Sequence, residues 1–433
     1  MRRRFEPSGP LRGELSVPGD KSISHRAALL GAMGNGATDV TGYLDAADTV
    51  STLEAVRALG ARVDGAPPNL TIHGVGLRGA GSARIDVGNA GTLMRLLPGW
   101  LAGQPGGSWT LDGDASIRRR PVDRIADPLA LMGARLEHAD GRPPLTVHGS
   151  PLQGIEYAMP VASAQVKSCL LLAGLMADGE TRVVEEIPSR DHTERMLAAC
   201  GVELQVTDGA DGHTVAATGG QAVEPPPLEV PGDLSSAAFW LCAAALVPGS
   251  AVCVRDVGVN PGRTGILDVL GRMGAQVTVS EPRTVAGEPR ADVEVAHASL
   301  QGTTVPADEV PAVIDELPLV ALLGALADGT TEVRGAEELR VKESDRITAV
   351  VEGLRGLGAD CEARDDGFVI AGGAQLAGGT LTTGGDHRLA MLGAIAGLAS
   401  RDGVVVEGME AASVSYPDFE RDLGRLAHAR VNG

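Results

Sequence analysis

The feature that most constrains this chain is an arrangement of segments that recurs about every 70 residues. Each copy opens on polar residues, then continues as an Ala/Leu-rich helix, a short strand, a polar loop, a second helix and further strands. The second helix usually closes on Gly-Ala. The copies begin near Lys21, Asn89, Gln165, Ser235, Glu316 and Asp386, the last copy being shorter. This period exceeds that of solenoid repeats, so each copy is predicted to be a small βαβαββ unit.

The same four residues, Val-Pro-Gly-Asp, occur at positions 17–20 and again at 230–233, before the first and the fourth repeat. Pro and Gly at such points are typical of a passage between domains. We therefore expect an α/β protein of two domains, each with three βαβαββ units, joined by two crossing strands. Residues 19–230 would form the N-terminal domain, and residues 1–18 with 231–433 the C-terminal domain. The helix starts of both would face one interdomain cleft.

Composition excludes several classes of partner. The net charge of −19 disfavours nucleic acid and anionic membranes, and aromatic residues make up only 2% of the chain, too few for base stacking. No apolar run is long enough to span a bilayer, and no apolar signal segment follows the N-terminal arginines. The five cysteines form no Cys-x-x-Cys pair, so we expect neither a zinc site nor disulfides, and a cytoplasmic location.

The first helix start carries a candidate anion site. Asp20 is positioned to cap the helix, and Lys21, Ser22 and Arg26 lie on its first turns. Free backbone N–H groups and the positive end of the helix dipole attract anions at such a place. A solvated helix start with incidental basic residues would look similar, but other repeats also begin with cationic or hydrogen-bonding groups. Only the fourth start, at Ser235, lacks a charged residue after its cap Asp233.

Four motifs identify a family. They are Pro-Gly-Asp-Lys-Ser-Ile-Ser-His-Arg at 18–26, Gly-Asn-Ala-Gly-Thr-Leu-Met-Arg at 88–95, Lys-Glu-Ser-Asp-Arg at 342–346 and Asp-His-Arg at 386–388. In sequence and order they resemble the 5-enolpyruvylshikimate-3-phosphate synthases of the enolpyruvyl transferase family. The resemblance spans nearly the whole chain. It implies two domains of three βαβαββ units each, an inside-out α/β barrel, which agrees with the repeats described above.

The resemblance also implies the reaction. The enolpyruvyl group of phosphoenolpyruvate would pass to the 5-hydroxyl of 3-phosphoshikimate through a tetrahedral intermediate, with release of phosphate. This step belongs to the shikimate pathway, which leads to chorismate and aromatic amino acids. It requires neither a metal nor another cofactor, and we expect a monomer.

Site residues follow from the resemblance position by position. Asp315 would be the base on the 5-hydroxyl and Glu343 the proton donor to C3, with Lys342 and Lys21 beside the reacting atoms. The matches to 3-phosphoshikimate ligands are Lys21, Ser22, Arg26, Ser163, Ala164, Gln165, Arg190, Asp315 and Lys342. The matches to phosphoenolpyruvate ligands are Lys21, Gly91, Arg120, Gln165, Arg346 and Arg388.

The chain departs from the family pattern at three positions. Glu338 stands where some members have Asn, and Val414 where some have Lys. Arg190 replaces a Tyr found in other members, which indicates a different branch of the family.

Three alternatives are weaker. A UDP-N-acetylglucosamine enolpyruvyl transferase would be expected to have Lys-Asn where this chain has Lys21-Ser22, and often a reactive Cys within 112–123, where none occurs. A P-loop is excluded because Asp20 separates the Gly from the Lys. A non-enzymatic repeat scaffold would explain the repeats but not the carboxylates beside so many cations.

Overall fold

The computed structural model describes residues 1–209 and 212–428 and divides the chain into two compact domains. The C-terminal domain comprises Met1–Pro18, Pro231–Arg283 and Pro289–Gly433, and the N-terminal domain comprises Gly19–Val230 and Thr284–Glu288. The division drawn from the sequence assigned residues 284–288 to the C-terminal domain, whereas here Thr284–Glu288 are counted with the N-terminal one. Residues 429–433 of the expected C-terminal domain lie outside the described residues.

The described chain starts with two strands of the C-terminal domain, β1 (Arg2–Phe5) and β2 (Arg12–Ser16). The N-terminal domain follows with three repeats. The first contains α1 (Lys21–Met33), β3 (Ala37–Thr41), α2 (Ala47–Ala58), β4 (Arg62–Ala66) and β5 (Asn69–His73). The second contains β6 (Ala83–Asp86), α3 (Gly91–Ala102), β7 (Ser108–Asp112), a 3-10 helix (Ile117–Arg119), α4 (Asp123–Leu131), β8 (Arg135–Ala139) and β9 (Arg142–His148). The third contains β10 (Glu156–Ala158), α5 (Ala164–Gly174), β11 (Glu180–Glu185), α6 (His192–Ala199), β12 (Leu204–Gly209) and β13 (Gly212–Thr218), and β14 (Leu228–Glu229) ends the domain.

The C-terminal domain contains the remaining repeats. The fourth has α7 (Leu234–Leu246), β15 (Ala251–Gly258), α8 (Gly265–Arg272), β16 (Gln276–Val285) and β17 (Glu288–Ala296). The fifth has β18 (Thr304–Val305), α9 (Val310–Val313), α10 (Leu317–Leu326), β19 (Thr330–Val333), a 3-10 helix (Glu337–Val341), α11 (Arg346–Gly356), β20 (Asp360–Arg364) and β21 (Gly367–Ala371). The sixth has β22 (Gly379–Thr382), α12 (His387–Ala399), β23 (Val404–Glu407), a 3-10 helix (Met409–Val414) and α13 (Phe419–His428).

Each repeat forms its own small sheet. In the second repeat the strand order is β6-β7-β9-β8, with β6 and β7 parallel and the remaining pairs antiparallel, and the other four-stranded sheets share this pattern. Three sheets are completed by strands from distant parts of the chain. β14 pairs with β3 in the first, β2 with β15 in the fourth, and β1 with β23 in the three-stranded sixth. The fold class predicted from the repeats, α/β with βαβαββ units in two domains, is confirmed.

The leading helices of the repeats are buried on nearly all sides and form the core. In α1 every residue from Ile23 to Met33 is buried, whereas α2 is buried on one face only. Helix backbones come close together: a Cβ on Gly99 of α3 would overlap the carbonyl oxygen of Cys169 in α5. Each domain thus has one continuous apolar core of leading helices and the inner faces of its sheets. No helix within the described residues is long and apolar enough to cross a membrane.

Candidate active site

Polar side chains gather at the starts of the buried leading helices, as the sequence predicts. The Asp20 carboxylate caps α1 by accepting a hydrogen bond from the Ile23 backbone N–H at 2.9 Å. Lys21 follows on the first turn, with its Nζ 3.2 Å from Oδ2 of Asp48 on α2. Ser22 stands beside it and is half-buried. The local sequence explains this arrangement, because Pro18-Gly19 breaks the chain and Asp20 starts the helix.

Arg26, one turn further along α1, is buried. Its Nε donates to Oγ1 of Thr193 at 2.6 Å and its Nη2 to Oγ of Ser168 at 2.9 Å. Burial lowers the pKa of Arg26 to about 10, and the nearby charge of Arg190 contributes to this lowering. Arg26 is predicted as a ligand of 3-phosphoshikimate and Arg190 as a further cation at the phosphate of that substrate. The structure brings the two arginines into the same part of the N-terminal domain.

The start of α3 holds a second group. Arg120 Nη2 donates to Oδ1 of Asn89 at 3.0 Å, and the Asn89 amide donates to Asp114 at 2.6 Å. This chain of hydrogen bonds holds the Arg120 guanidinium against Gly91, the first residue of α3. A Cβ placed on Gly91 would lie only 2.6 Å from Nη1 of Arg120. Gly91 and Arg120, predicted together as phosphoenolpyruvate ligands, are thus in contact.

The start of α5 is linked to that of α3. Ser163 caps α5 through its hydroxyl, which accepts from the Val166 N–H at 3.4 Å. Gln165 accepts a hydrogen bond from Arg95 Nη1 at 3.0 Å and donates one to Oγ1 of Thr92 at 3.2 Å. Ala164 begins the helix, and its carbonyl accepts from Ser168 at 2.5 Å. Gln165 therefore lies next to the helix that carries Gly91.

The C-terminal domain contains a compact charged cluster around Asp315. Its carboxylate lies 3.9 Å from Lys342 Nζ, 3.7 Å from Arg346 Nη1 and 3.8 Å from Arg388 Nη2. The Asp315 side chain keeps 15% of its surface exposed, so a substrate hydroxyl can reach it. All four residues come from the predicted site, although they lie on three separate segments of the chain.

Arg346 is the most heavily paired of these cations. Its Nε donates to Oδ2 of Asp386 at 2.8 Å, and its Nη2 to Oε2 of Glu343 at 2.6 Å. Burial opposes the charge, but Glu343 and Asp386 outweigh it and raise the pKa of Arg346. Asp386 also caps α12 through the Arg388 N–H at 2.9 Å. Glu343 thus joins the cluster through Arg346.

Lys342 directly follows the 3-10 helix Glu337–Val341, which precedes α11. Burial lowers the pKa of its ammonium, while the charges of Asp315 and Glu338 act in the opposite direction. Glu338, which departs from the family pattern, therefore lies near enough to Lys342 to influence it. Val414, the other departure, is half-buried at the end of its own 3-10 helix.

The fourth helix start does carry a cation, which the sequence analysis missed. Arg263 is buried, and its Nη2 donates to Asp233 at 3.1 Å and to Oγ of Ser235 at 2.7 Å. The Ser235 hydroxyl in turn donates a short hydrogen bond to Glu316. Arg263 stands about 30 residues after the cap Asp233, so the residues around the cap do not reveal it. The only local signal is that Arg263 is a basic residue two positions before a helix, α8. Within residues 1–209 and 212–428, no cluster of three His, Cys, Asp or Glu could hold a metal ion.

Buried helix starts that present arginine, lysine and hydroxyl groups define a class of α/β proteins suited to small, highly charged anions. Family comparison is more specific: a family model for EPSP synthase (3-phosphoshikimate 1-carboxyvinyltransferase) matches residues 5–423. The chain belongs to the EPSP synthase family.

Individual relatives agree with this assignment. The chain is 49% identical over 416 residues to the 3-phosphoshikimate 1-carboxyvinyltransferase of Acidithiobacillus ferrooxidans, covering 95% of each chain. It is 48% identical over 430 residues to that of Desulfitobacterium hafniense, covering 98% of each. A solved structure of EPSP synthase from Acinetobacter baumannii superposes with a TM-score of 0.87 at 42% identity, again over 98% of both chains.

Proposed function

We propose that this chain transfers the enolpyruvyl group of phosphoenolpyruvate to the 5-hydroxyl of 3-phosphoshikimate and releases phosphate. The observation that carries the proposal is the Asp315 carboxylate, which lies within 4 Å of Lys342, Arg346 and Arg388. A partly exposed carboxylate among cations suits a base that must act beside two anionic substrates. The reaction belongs to the shikimate pathway, which leads to chorismate and the aromatic amino acids.

In the first step Asp315 accepts the proton of the 5-hydroxyl, whose oxygen attacks C2 of phosphoenolpyruvate. C3 gains a proton from Glu343, and a tetrahedral ketal phosphate forms. In the second step C3 returns a proton to the Glu343 carboxylate and the C–O bond to phosphate breaks, giving the enol ether. The leaving phosphate takes up the proton that Asp315 removed from the 5-hydroxyl, so both carboxyl groups return to their starting states. Lys342 would stabilise the developing negative charge on the 5-oxygen.

Glu343 must carry a proton to act as the donor, yet in this structure it is ion-paired with Arg346 at 2.6 Å. We propose that phosphoenolpyruvate resolves this conflict. Its anionic groups compete for the Arg346 guanidinium, and loss of that cation makes the neutral form of Glu343 more favourable. Substrate binding would then prepare the proton donor.

The cations of the N-terminal domain would hold the substrate anions. Arg26, Arg190, Lys21 and Ser22, with Ser163, Ala164 and Gln165, would bind 3-phosphoshikimate. Gly91 and Arg120 would bind phosphoenolpyruvate with Lys21, Gln165, Arg346 and Arg388. Two observations support this assignment of residues to the two substrates. Gly91 contacts Arg120, and Arg190 lies close enough to Arg26 to affect its pKa.

We further propose that the enzyme works as a monomer in the cytoplasm and needs no cofactor. Free thiols on all five cysteines support a reducing compartment. Size-exclusion chromatography with light scattering would measure the oligomeric state, and a dimer would contradict this part of the proposal.

The central test is phosphate release from phosphoenolpyruvate, measured with 3-phosphoshikimate and, separately, with UDP-N-acetylglucosamine as acceptor. Release should require 3-phosphoshikimate, and release with the UDP-sugar alone would overturn the proposal. Asp315→Asn should lower kcat about 100- to 10,000-fold, the usual contribution of a general base. Arg118→Gln, which removes an exposed arginine paired only with Asp112 among the described ion pairs, should leave kcat unchanged.

A further inference from the structure

A buried ion cluster lies beside the candidate phosphate site without belonging to it. Lys167 of α5 is fully buried, with its Nζ 2.6 Å from Oε2 of Glu185 and 2.7 Å from Oε1 of Glu194. Burial opposes the charge on Lys167, but Glu194 and Glu185 outweigh it and raise its pKa. Buried ion pairs of this kind add little net stability compared with apolar side chains of the same size. Stability alone therefore does not account for the cluster.

The cluster holds the backbone of one particular residue. The Ser189 N–H donates to Oε1 of Glu185 at 3.2 Å, and the Ser189 carbonyl accepts from Lys167 Nζ, also at 3.2 Å. Both backbone hydrogen-bonding groups of Ser189 are therefore fixed by Lys167 and Glu185. Ser189 stands in the irregular segment between β11 and α6, where no sheet or helix would otherwise set the path of the chain.

The next residue along the chain is Arg190. Its own segment is irregular, so the backbone from which the Arg190 side chain projects is set in part by how firmly Ser189 is held. Lys167 lies two residues after Gln165, on the same helix whose start carries Ser163 and Ala164. The ammonium thus connects the helix start directly to the backbone that presents Arg190.

We propose that Lys167 and Glu185 are positioning residues that clamp Ser189 and so fix Arg190 at the phosphate of 3-phosphoshikimate. Neither residue touches substrate; both act through Arg190. This inference rests on the proposed function, because it assumes that Arg190 binds that phosphate. It assigns a substrate-recognition role to a cluster that burial alone would class as structural.

A double-mutant cycle tests the coupling. Dissociation constants of 3-phosphoshikimate are measured by titration calorimetry for wild type, Lys167→Met, Arg190→Ala and the double variant. Loss of a charge-assisted contact to phosphate should weaken binding about tenfold or more in Arg190→Ala. Lys167→Met should cause a similar loss, and the double variant should be little worse than Arg190→Ala alone. Additive losses would overturn the proposal.

Lys167→Met leaves two buried carboxylates without their cation, so a second variant protects the test from misfolding. Glu185→Met removes the acceptor for the Ser189 N–H but leaves Lys167 and Glu194 as a neutral pair. It should show the same loss of 3-phosphoshikimate binding. Glu185→Gln keeps one acceptor oxygen for the Ser189 N–H but turns an amide NH2 toward the Lys167 ammonium, so it should recover only part of the lost affinity. Affinity no better than that of Glu185→Met would contradict the clamp.

Two controls separate positioning from general damage. Shikimate, which lacks the phosphate, should bind all these variants as it binds the wild type, whereas equal losses for both ligands would contradict the proposal. Arg78→Met removes another cation of the N-terminal domain that donates to backbone carbonyls. Its partners are Gly103 and Met176, which follow the C-terminal ends of α3 and α5, away from the helix starts. It should leave 3-phosphoshikimate affinity unchanged. A wild-type enzyme without phosphate release would instead refute the proposed function itself.

Discussion

The guanidinium of Arg346 contacts carboxylates of Asp315, Glu343 and Asp386. These partners are not equally replaceable. Asp386 is fully buried and caps α12, whereas Glu343 keeps 23% of its side chain exposed. An arriving substrate anion would therefore displace Glu343 and leave Asp386 in place. Of the three partners, Glu343 would therefore be the one released from Arg346 when the substrate binds. Glu343 is also the residue expected to donate a proton.

The lowered pKa of Lys342 leads to a prediction about pH. In the proposed reaction Lys342 acts in its protonated form beside the 5-oxygen, so activity should fall as pH rises through the pKa of Lys342. Because burial lowers that pKa, the alkaline limb of kcat/KM should have its midpoint below 10.5, the ordinary lysine value. In Lys342→Arg the limb should move to higher pH, since a guanidinium stays charged. An unchanged alkaline limb in this variant, measured by initial rates across pH, would assign the titration to another group.

Gly91 should be intolerant of even one methyl group. The Cβ of Gly91→Ala would lie 2.6 Å from Arg120 Nη1, so the guanidinium must move. A displacement of this size at a substrate ligand should lower kcat/KM for phosphoenolpyruvate by about 10- to 100-fold. Affinity for 3-phosphoshikimate should stay close to wild type. Gly36→Ala is the matched control, because a Cβ there meets nothing within 4 Å; an equal loss in both variants would exclude a local cause.

At the scale of the element, the start of α7 shows how a buried helix end is satisfied. Asp233 caps the helix, Arg263 binds both the cap and Ser235, and Ser235 donates to Glu316 of the next repeat. The network therefore connects the fourth repeat to the fifth through side chains alone. Its members are buried, so removal of one charge leaves the others without full compensation.

Arg263→Met should consequently destabilise the protein by about 3–5 kcal/mol, the cost of breaking a buried ion pair. Arg255→Met is the comparison within the same domain. Arg255 is 46% exposed and pairs with Glu14 and Asp292, so its loss should cost about 0–1 kcal/mol. Urea unfolding of both variants would measure the difference. Equal costs would show that burial does not strengthen the contribution of Arg263.

At the scale of the whole molecule, the sequence predicted what depends on local pattern. Caps such as Asp20 and Asp233 stand next to the helices they start, and the repeat recurs along the chain. Contacts between residues that lie far apart in the sequence could not be predicted from local pattern. Nothing near Arg263 shows that it returns to Asp233, and nothing near Lys167 names Glu185 or Glu194 as its partners. A sequence shows which residues are charged, but the packing of the helices determines which charged residues pair.

The pairing of the first two strands with sheets of the C-terminal domain joins segments that lie far apart in the sequence. Read along the sequence, residues 1–18 are assigned to the C-terminal domain and the last repeat is short, but no pattern names the partners of these strands. The fourth and sixth repeats obtain their outer strands, β2 and β1, from the first 16 residues. Phe5, Leu11 and Leu15 from this segment are buried in the core of the C-terminal domain. The N-terminal segment is therefore an integral part of a domain that mostly lies over 200 residues away.

Deletion of residues 2–16 should accordingly unfold the C-terminal domain and spare the N-terminal one. The deletion removes three large buried side chains, whose burial contributes about 5–9 kcal/mol, and whole domains have only about 5–15 kcal/mol of stability. Limited proteolysis with mass spectrometry should then degrade residues 231–428 and leave a resistant fragment near 19–230. Arg2→Ser with Arg12→Ser, which changes only exposed positions of the same strands, should leave both domains resistant. A truncated chain with a protease-resistant C-terminal domain would show that β1 and β2 merely cover a core that is stable without them.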